Sequence, residues 1–240
     1  MSNRGKIIGE FLLIVIGVLT ALMLEAFMSE RHDKTLEAQY LSRLESDITK
    51  DKLAFTYRIE FFSSVQAFSQ DFLDWLHSDS VMDEHVLLAA FYAAEVWPYE
   101  LTNSTYQDLQ STGNLRLIDK LALRANLIQY YNRADAGEDY WNPAAEYRKS
   151  IRGLIPTKIQ EQIRDRCPTT DRQDLIPTGF PPCDLQEVDL GRMAILFEPL
   201  RKDPDFLKTL TLRHSELGVS VRLFEQQVAF ADEILARLDE

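Results

Sequence analysis

The chain has 240 residues, with 38 acidic side chains against 26 Lys and Arg, and a formal charge of −12. That length allows one large domain or two small ones. The acidic balance argues against nucleic acid, whose phosphates attract Lys and Arg surfaces, and against a domain pressed flat on anionic lipid.

Glycine is scarce, nine residues in all, where about 7% is usual. Leu, Ala, Glu, Gln and Arg are plentiful, and β-branched residues cluster only in the first segment, so the expected fold class is all-α. That first segment reads "GEFLLIVIGVLTALMLEAF", and residues 11–24 carry no charge. Ile7–Met28 forms, as a helix, a rod of roughly 33 Å, which matches a hydrocarbon core of about 30 Å. Glu10 and Glu25 sit near either end, within reach of the headgroup zone. A cleaved export signal is the competing reading. It calls for an apolar core of about 7–15 residues and a small-x-small exit, whereas bulky Leu22, Met23, Leu24 and Phe27 occupy the exit here. The expectation is an uncleaved single-pass anchor: residues 1–6 a short cytoplasmic tail, 7–28 a transmembrane helix, 29–240 a periplasmic helical domain. Basic residues flank the span almost equally, Arg4 and Lys6 before it and Arg31, Lys34 and Arg43 after it.

Within the span, Glu10, Ile14, Gly17, Ala21 and Leu24 share a helical face. Gly17 and Ala21 are a small-x-x-x-small pair, which lets membrane helices approach closely. An intramembrane carboxylate ordinarily faces protein or water. Glu10, Gly17 and Ala21 are therefore the candidates for membrane association, with the lipid bilayer and either a second copy or another membrane protein as partners. The bland alternative is that Glu10 reaches the interface and the glycines are incidental.

From Val18 to Trp97 there is neither Gly nor Pro. The span is expected to continue as one long helix to about His77, with Leu41, Leu44, Ile48, Phe55, Phe62, Val65, Phe72 and Leu76 as its apolar seam. Asp51, Arg58 and Ser69 interrupt that seam. A turn at "HSDS" leads to a helix capped by Asp79 or Ser80 and ending near Glu95, before Pro98. "TNSTYQDLQSTGN" reads as a short helix starting at Asn103 or Ser104, with Gly113 just past its end. Asp119 can cap the next helix, whose seam is Leu123, Leu127, Tyr130, Ala134, Gly137 and Trp141. Asn142-Pro143 should break it, and Pro156 should open a helix over "TKIQEQIRDR". The last helix starts at Pro204, with Leu207, Leu210, His214, Leu217, Val221, Phe224, Val228, Ala231, Leu235 and Leu238 as its stripe. It needs a partner of similar length, and the long first helix, met antiparallel in a bundle, is the obvious one.

Cys167 and Cys183 are the only cysteines and bracket a loop holding four of the nine prolines. A disulfide between them would close a loop of about 15 residues, worth roughly 3 kcal/mol in the chain-entropy model. Since disulfides persist in oxidising compartments, the pair points to the periplasm; two unpaired thiols in a cytosolic domain are the alternative. The spacing does not suit zinc.

Catalytic signatures are missing. His32, His77, His85 and His214 form no ligand pair, and no nucleophile elbow or phosphate-cradling loop occurs. His77, Asp79, Asp83, Glu84 and His85 are close in sequence but read as an acidic helix start. No cofactor, metal or enzyme activity is expected. Tyr130, Tyr131, Tyr140 and Trp141 line a ligand pocket or, more ordinarily at helical spacing, fill a core.

Two stretches, considered together, resemble a family of uncharacterised bacterial single-pass membrane proteins. The first is a G-E-x-x-L-x-x-x-G-x-x-x-A-L start, matched by Gly9, Glu10, Leu13, Gly17, Ala21 and Leu22. The second is a T-Y-x-x-L-x-x-x-G-N-L-x-L-I segment leading to a Tyr-Tyr pair, matched by Thr105, Tyr106, Leu109, Gly113, Asn114, Leu115, Leu117, Ile118, Tyr130 and Tyr131. The match covers about a quarter of the chain; "FMSERHD" stands where the family has an aromatic-rich membrane exit. The resemblance implies a membrane anchor and an extracytoplasmic helical domain, and no activity. The expected function is a non-catalytic inner-membrane scaffold or accessory subunit, with Tyr106, Gly113, Tyr130 and Tyr131 shaping the domain. The alternatives are a ligand-sensing bundle acting through a partner and a homo-oligomeric pore with Glu10 as a ring charge.

Overall fold

A computed structural model describes residues 3–97, 101–141, 145–169 and 179–238, with side chains placed outside 3–9, 135–141 and 145. Among the described residues all regular structure is helical. Helix α1 runs unbroken from Asn3 to Leu76, as the lack of proline throughout and of glycine after Gly17 allows. Then come α2 (Glu84–Tyr92), α3 (Ser104–Ser111), a 3-10 turn (Asn114–Leu117), α4 (Leu121–Trp141), α5 (Ala145–Leu154), α6 (Thr157–Arg166), α7 (Leu190–Phe197), a second 3-10 turn (Glu198–Lys202) and α8 (Pro204–Leu238).

Helices α1 and α8 are the spine. Lys52 pairs with Asp232, Phe55 and Phe62 touch Phe224, Ser69 meets His214, and Phe72 touches Phe206. At Gly218 a Cβ would lie 2.7 Å from the amide nitrogen at the flexible end of the Gln66 side chain, which would have to shift aside. The buried line of α1 is Leu44, Ile48, Asp51, Phe55, Arg58, Phe62, Val65, Ser69, Phe72 and Leu76. Its steps alternate four and three, the spacing of a coiled-coil seam. Asp51, Arg58 and Ser69 are thus members of the seam rather than interruptions. The buried line of α8 is Phe206, Leu210, Arg213, Leu217, Ser220, Phe224, Gln227, Ala231 and Ile234. Leu207, His214, Val221, Val228, Leu235 and Leu238 from the apolar stripe are only half-buried beside it.

Two cores hang on this spine. One gathers Tyr40 to Val65 of α1 with α3, α4 and the second half of α8. The other gathers the end of α1 with α2, α5, α6, α7 and the start of α8. Helix α2 differs from expectation at its start: Asp83, not Asp79 or Ser80, accepts the Val86 N–H at 2.8 Å. Asp79 lies too far ahead of a helix whose first residue is Glu84. Asn103 precedes α3, and Gly113 at φ +71° follows it, where a left-handed turn favours glycine. Asp119 does not cap α4, which begins at Leu121; its N–H donates to Glu37 instead. Helix α7 has no counterpart in the sequence expectations. Gly137 and Trp141 lie in α4, but their side chains are outside the described residues, as are Pro98, Asn142 and Pro143.

Two helices end without a glycine, and arginines complete them. At the end of α1, Arg201 donates to the carbonyls of Trp75 and Ser80 at 2.8 Å and to that of Ser78, and its guanidinium lies over Trp75. The end of α2 is treated the same way, with more side chains.

Candidate functional site

The first candidate is the N-terminal apolar stretch. From Phe11 to Met28 its large side chains stand in the open, for example Leu13, Met23 and Met28 at 60–75% exposure. None of the most apolar window of α1 is covered by the rest of the chain, and its mean hydropathy is 2.5. By length and composition it is the one helix among the described residues able to cross a membrane. The body begins near Leu36 and Tyr40. Glu10, Gly17 and Ala21 are all exposed. A Cβ at Gly17 would touch nothing within 4 Å, and the Thr20 hydroxyl is satisfied by the carbonyls of Ile16 and Gly17. This face therefore presents a smooth, low-relief surface with one carboxylate near its end.

The second candidate gathers Tyr106, Tyr130 and Tyr131 with two carboxyls the sequence did not single out as a site, Asp47 and Asp51. Asp47 and Asp51 are one turn apart on α1, and both are buried. The Asp51 carboxyl accepts from the Thr102 N–H at 2.8 Å and the Tyr130 hydroxyl at 3.3 Å. Asp47 accepts from the Thr105 hydroxyl at 2.5 Å. Tyr106 stacks on Tyr131 with ring centres 4.3 Å apart, and Tyr130 meets Tyr131 edge-on. Burial pushes the Asp51 carboxyl up to about 6, against the lowering effect of its two donors and with a small upward push from Asp47. Burial also drives the Tyr131 phenol upward, and its hydroxyl has no hydrogen-bond partner among the described residues. These rings are packed interior, so they shape the join between α1, α3 and α4. Gly113 sits at the edge of this group: next to it, Asn114 donates to the Tyr40 hydroxyl at 3.2 Å.

The third is the cysteine loop. Cys167 and Cys183 are joined, with Cα atoms 5.3 Å apart. Gly179 at φ +83° turns the chain so that Phe180 sits among Phe61, Phe68 and Tyr92. The purified native chain is expected to leave a thiol reagent unreacted until reductant is added, and then to take up two equivalents. Uptake before reduction would refute the bond.

The histidine and acidic groups near α2 have local structural work. His77 bonds the Leu73 carbonyl, Glu84 accepts the Leu185 N–H, and His85 pairs with Asp71. His214 shares a 2.8 Å bond with Ser69. Among the described residues no three His, Cys, Asp or Glu side chains are placed to hold a metal ion.

What sequence reasoning missed is the buried end of α2. Its last carbonyls point into the interior, where side chains from α5 and α8 receive them. The Tyr147 hydroxyl donates to Ala90, Arg152 to Phe91, Arg148 to Ala94, and Arg213 to both Ala93 and Glu95. Cations belong there, because the helix dipole leaves partial negative charge at its C-terminus. Burial lowers the Arg152 and Arg213 guanidinium groups to about 10, with acidic neighbours opposing the drop, so both stay charged at neutral pH. The available signal was spacing: Arg213 falls on the four-three line through Phe206, Leu210 and Leu217.

Comparison of the chain with known protein families, with curated proteins and with solved structures finds no match.

Proposed function

We propose that the chain is a single-pass inner-membrane protein that works without catalysis, as an oligomeric scaffold or an accessory subunit of a membrane complex. In this reading the N-terminal part of α1 spans the bilayer, and the remainder is an antiparallel helical bundle in the periplasm. The observation that carries it is the bareness of α1 from Phe11 to Met28. Monomeric soluble proteins rarely leave an apolar patch of more than a few hundred Å² exposed. A core helix of a soluble protein would be covered by its own chain, and none of this apolar window is covered. Lipid or another protein has to supply the cover. The disulfide supports an oxidising compartment for the body. The two matched motifs point the same way, since the family they resemble has this layout.

Association is assigned to the face of Glu10, Gly17 and Ala21, where small side chains let a second helix approach. Gly17→Leu tests it, because the position is exposed and a Cβ there meets nothing of the chain within 4 Å. Intact-particle mass measured in mild detergent is expected to exceed one chain, or to include a companion. Gly17→Leu is expected to return the particle to a single chain while leaving the helical content unchanged. A native particle that is one chain with nothing attached sinks the scaffold reading. Mature material beginning after Phe27 sinks the anchor.

A further inference from the structure

Beside the arginine-received end of α2 lies a cavity of about 400 Å³. Its wall includes Tyr92 and Glu95 after α2, Arg148 and Arg152 of α5, Arg164 of α6, and Cys167. The charges do not balance. Among the described lining residues Glu95 is the only carboxylate, and it is already shared by Arg152 at 2.6 Å and Arg148 at 3.7 Å. Among the described residues Arg164 bonds only the carbonyl and side-chain oxygen of Gln160 on its own helix. Two buried donors of the same wall, the Tyr92 hydroxyl and the Arg152 Nε–H, have no acceptor among the described residues. A buried donor without an acceptor costs free energy that an acceptor-rich guest recovers. In a chain with a charge of −12, a local surplus of guanidinium groups marks this cavity out.

We propose that this cavity binds a small soluble oxyanion, a carboxylate or phosphate compound, held by Arg148, Arg152 and Arg164. Guanidinium groups favour such ligands over halides because their paired N–H groups match two oxygens at once. The surplus of donors over acceptors in the wall argues against a neutral guest. A lipid headgroup offers the same chemistry, but Tyr92 packs on Phe68. Phe68 lies 40 residues along α1 from Met28, about 60 Å of helix. Given the membrane reading above, headgroups stay out of reach. The site does not depend on self-association: a single chain contains all of it.

The test is calorimetric titration of the full chain in mild detergent with inorganic phosphate and with succinate, against chloride at equal ionic strength. At least one of the two oxyanions is expected to bind once per chain, and chloride not to bind. Arg164→Gln is expected to weaken binding about tenfold or more, and Arg148→Gln likewise. Arg164 is exposed and, among the described residues, bonds only within α6, so its variant should keep the native melting temperature. Binding of neither oxyanion above chloride overturns the proposal, as does binding that survives both substitutions unchanged. In a third arm, vesicles of phosphatidylglycerol are compared with vesicles of phosphatidylcholine. Equal oxyanion affinity in the two is expected; displacement by phosphatidylglycerol would give the site to a lipid and overturn the soluble ligand.

Discussion

Arg213→Ala is expected to destabilise the body by about 3–5 kcal/mol, the sum of two orphaned buried acceptors at about 1–3 kcal/mol each and the lost packing of a large buried side chain. Arg213 is almost wholly buried and donates to the carbonyls of Ala93 and Glu95 at 3.2 and 2.7 Å. Ala89, Ala90, Ala93 and Ala94 are themselves inaccessible, so water cannot replace the lost donors without opening the packing. Truncation therefore leaves two carbonyls without their donor, and each orphaned acceptor costs about 1–3 kcal/mol. It also removes a cation from the negative end of α2. Arg213→Lys keeps the charge but offers a single point donor where a fork is needed, and should recover only part of the loss. Arg201→Ala performs a similar deletion at the end of α1, next to an open turn, and should cost less. The measurement is the urea unfolding midpoint of the full chain in detergent. A loss below 1 kcal/mol for Arg213→Ala would mean that solvent reaches these carbonyls and that the cap is dispensable.

The same arginine shows where sequence reading succeeds and where it stops. Pro204 as the start of α8, Gly113 after α3 and the long run without Gly or Pro are local signals, since each acts on its own stretch of backbone. The end of α1, the end of α3 and the start of α8 followed from them. The apolar residues of α8 alone mark a stripe that is offset from its buried centre line. Its true centre line passes through Arg213, Ser220 and Gln227, as that of α1 passes through Asp51, Arg58 and Ser69. A strict four-three spacing would have admitted these polar members. What no spacing supplies is the reason they are tolerated. Arg213 is inside because α2, more than a hundred residues earlier, ends against it; Asp51 is inside because Thr102 and Tyr130 come to it. Long-range partners of buried polar groups are fixed by tertiary packing, so neither the carboxyl–tyrosine cluster nor the arginine-lined cavity was legible beforehand. Helix α7 gives no such signal: its eight residues are too short for a period. Where α3, of the same length, is closed by Gly113, α7 runs on into a 3-10 turn with no glycine at its end.

Asp51→Asn is expected to stabilise the protein at neutral pH, and the gain should vanish in acid. Burial holds the Asp51 carboxyl at about 6 in the folded chain, against 3.8 for the ordinary group. Folding therefore favours the protonated form. Below pH 4 the carboxyl is protonated in both states, and the residue imposes no charge penalty. Between about pH 4 and 6 the unfolded chain has released its proton while the folded chain retains it, so stability falls as pH rises. Above 6 both states are ionised and the penalty is constant. The shift is about two pH units, at 1.36 kcal/mol each, so the penalty is on the order of 3 kcal/mol. Asparagine cannot ionise. Its carbonyl can keep the Thr102 N–H, and the Tyr130 hydroxyl can turn to accept from the amide, so both hydrogen bonds survive in kind. Denaturant midpoints of the native chain and the variant, compared across pH 3.5 to 8, isolate this one group because every other titration is common to both. The two curves should diverge between pH 4 and 6 with the variant the more stable above. Parallel curves, or a native chain favoured at pH 8, would show that Asp51 is ionised in the fold throughout and held by its donors rather than disfavoured by burial.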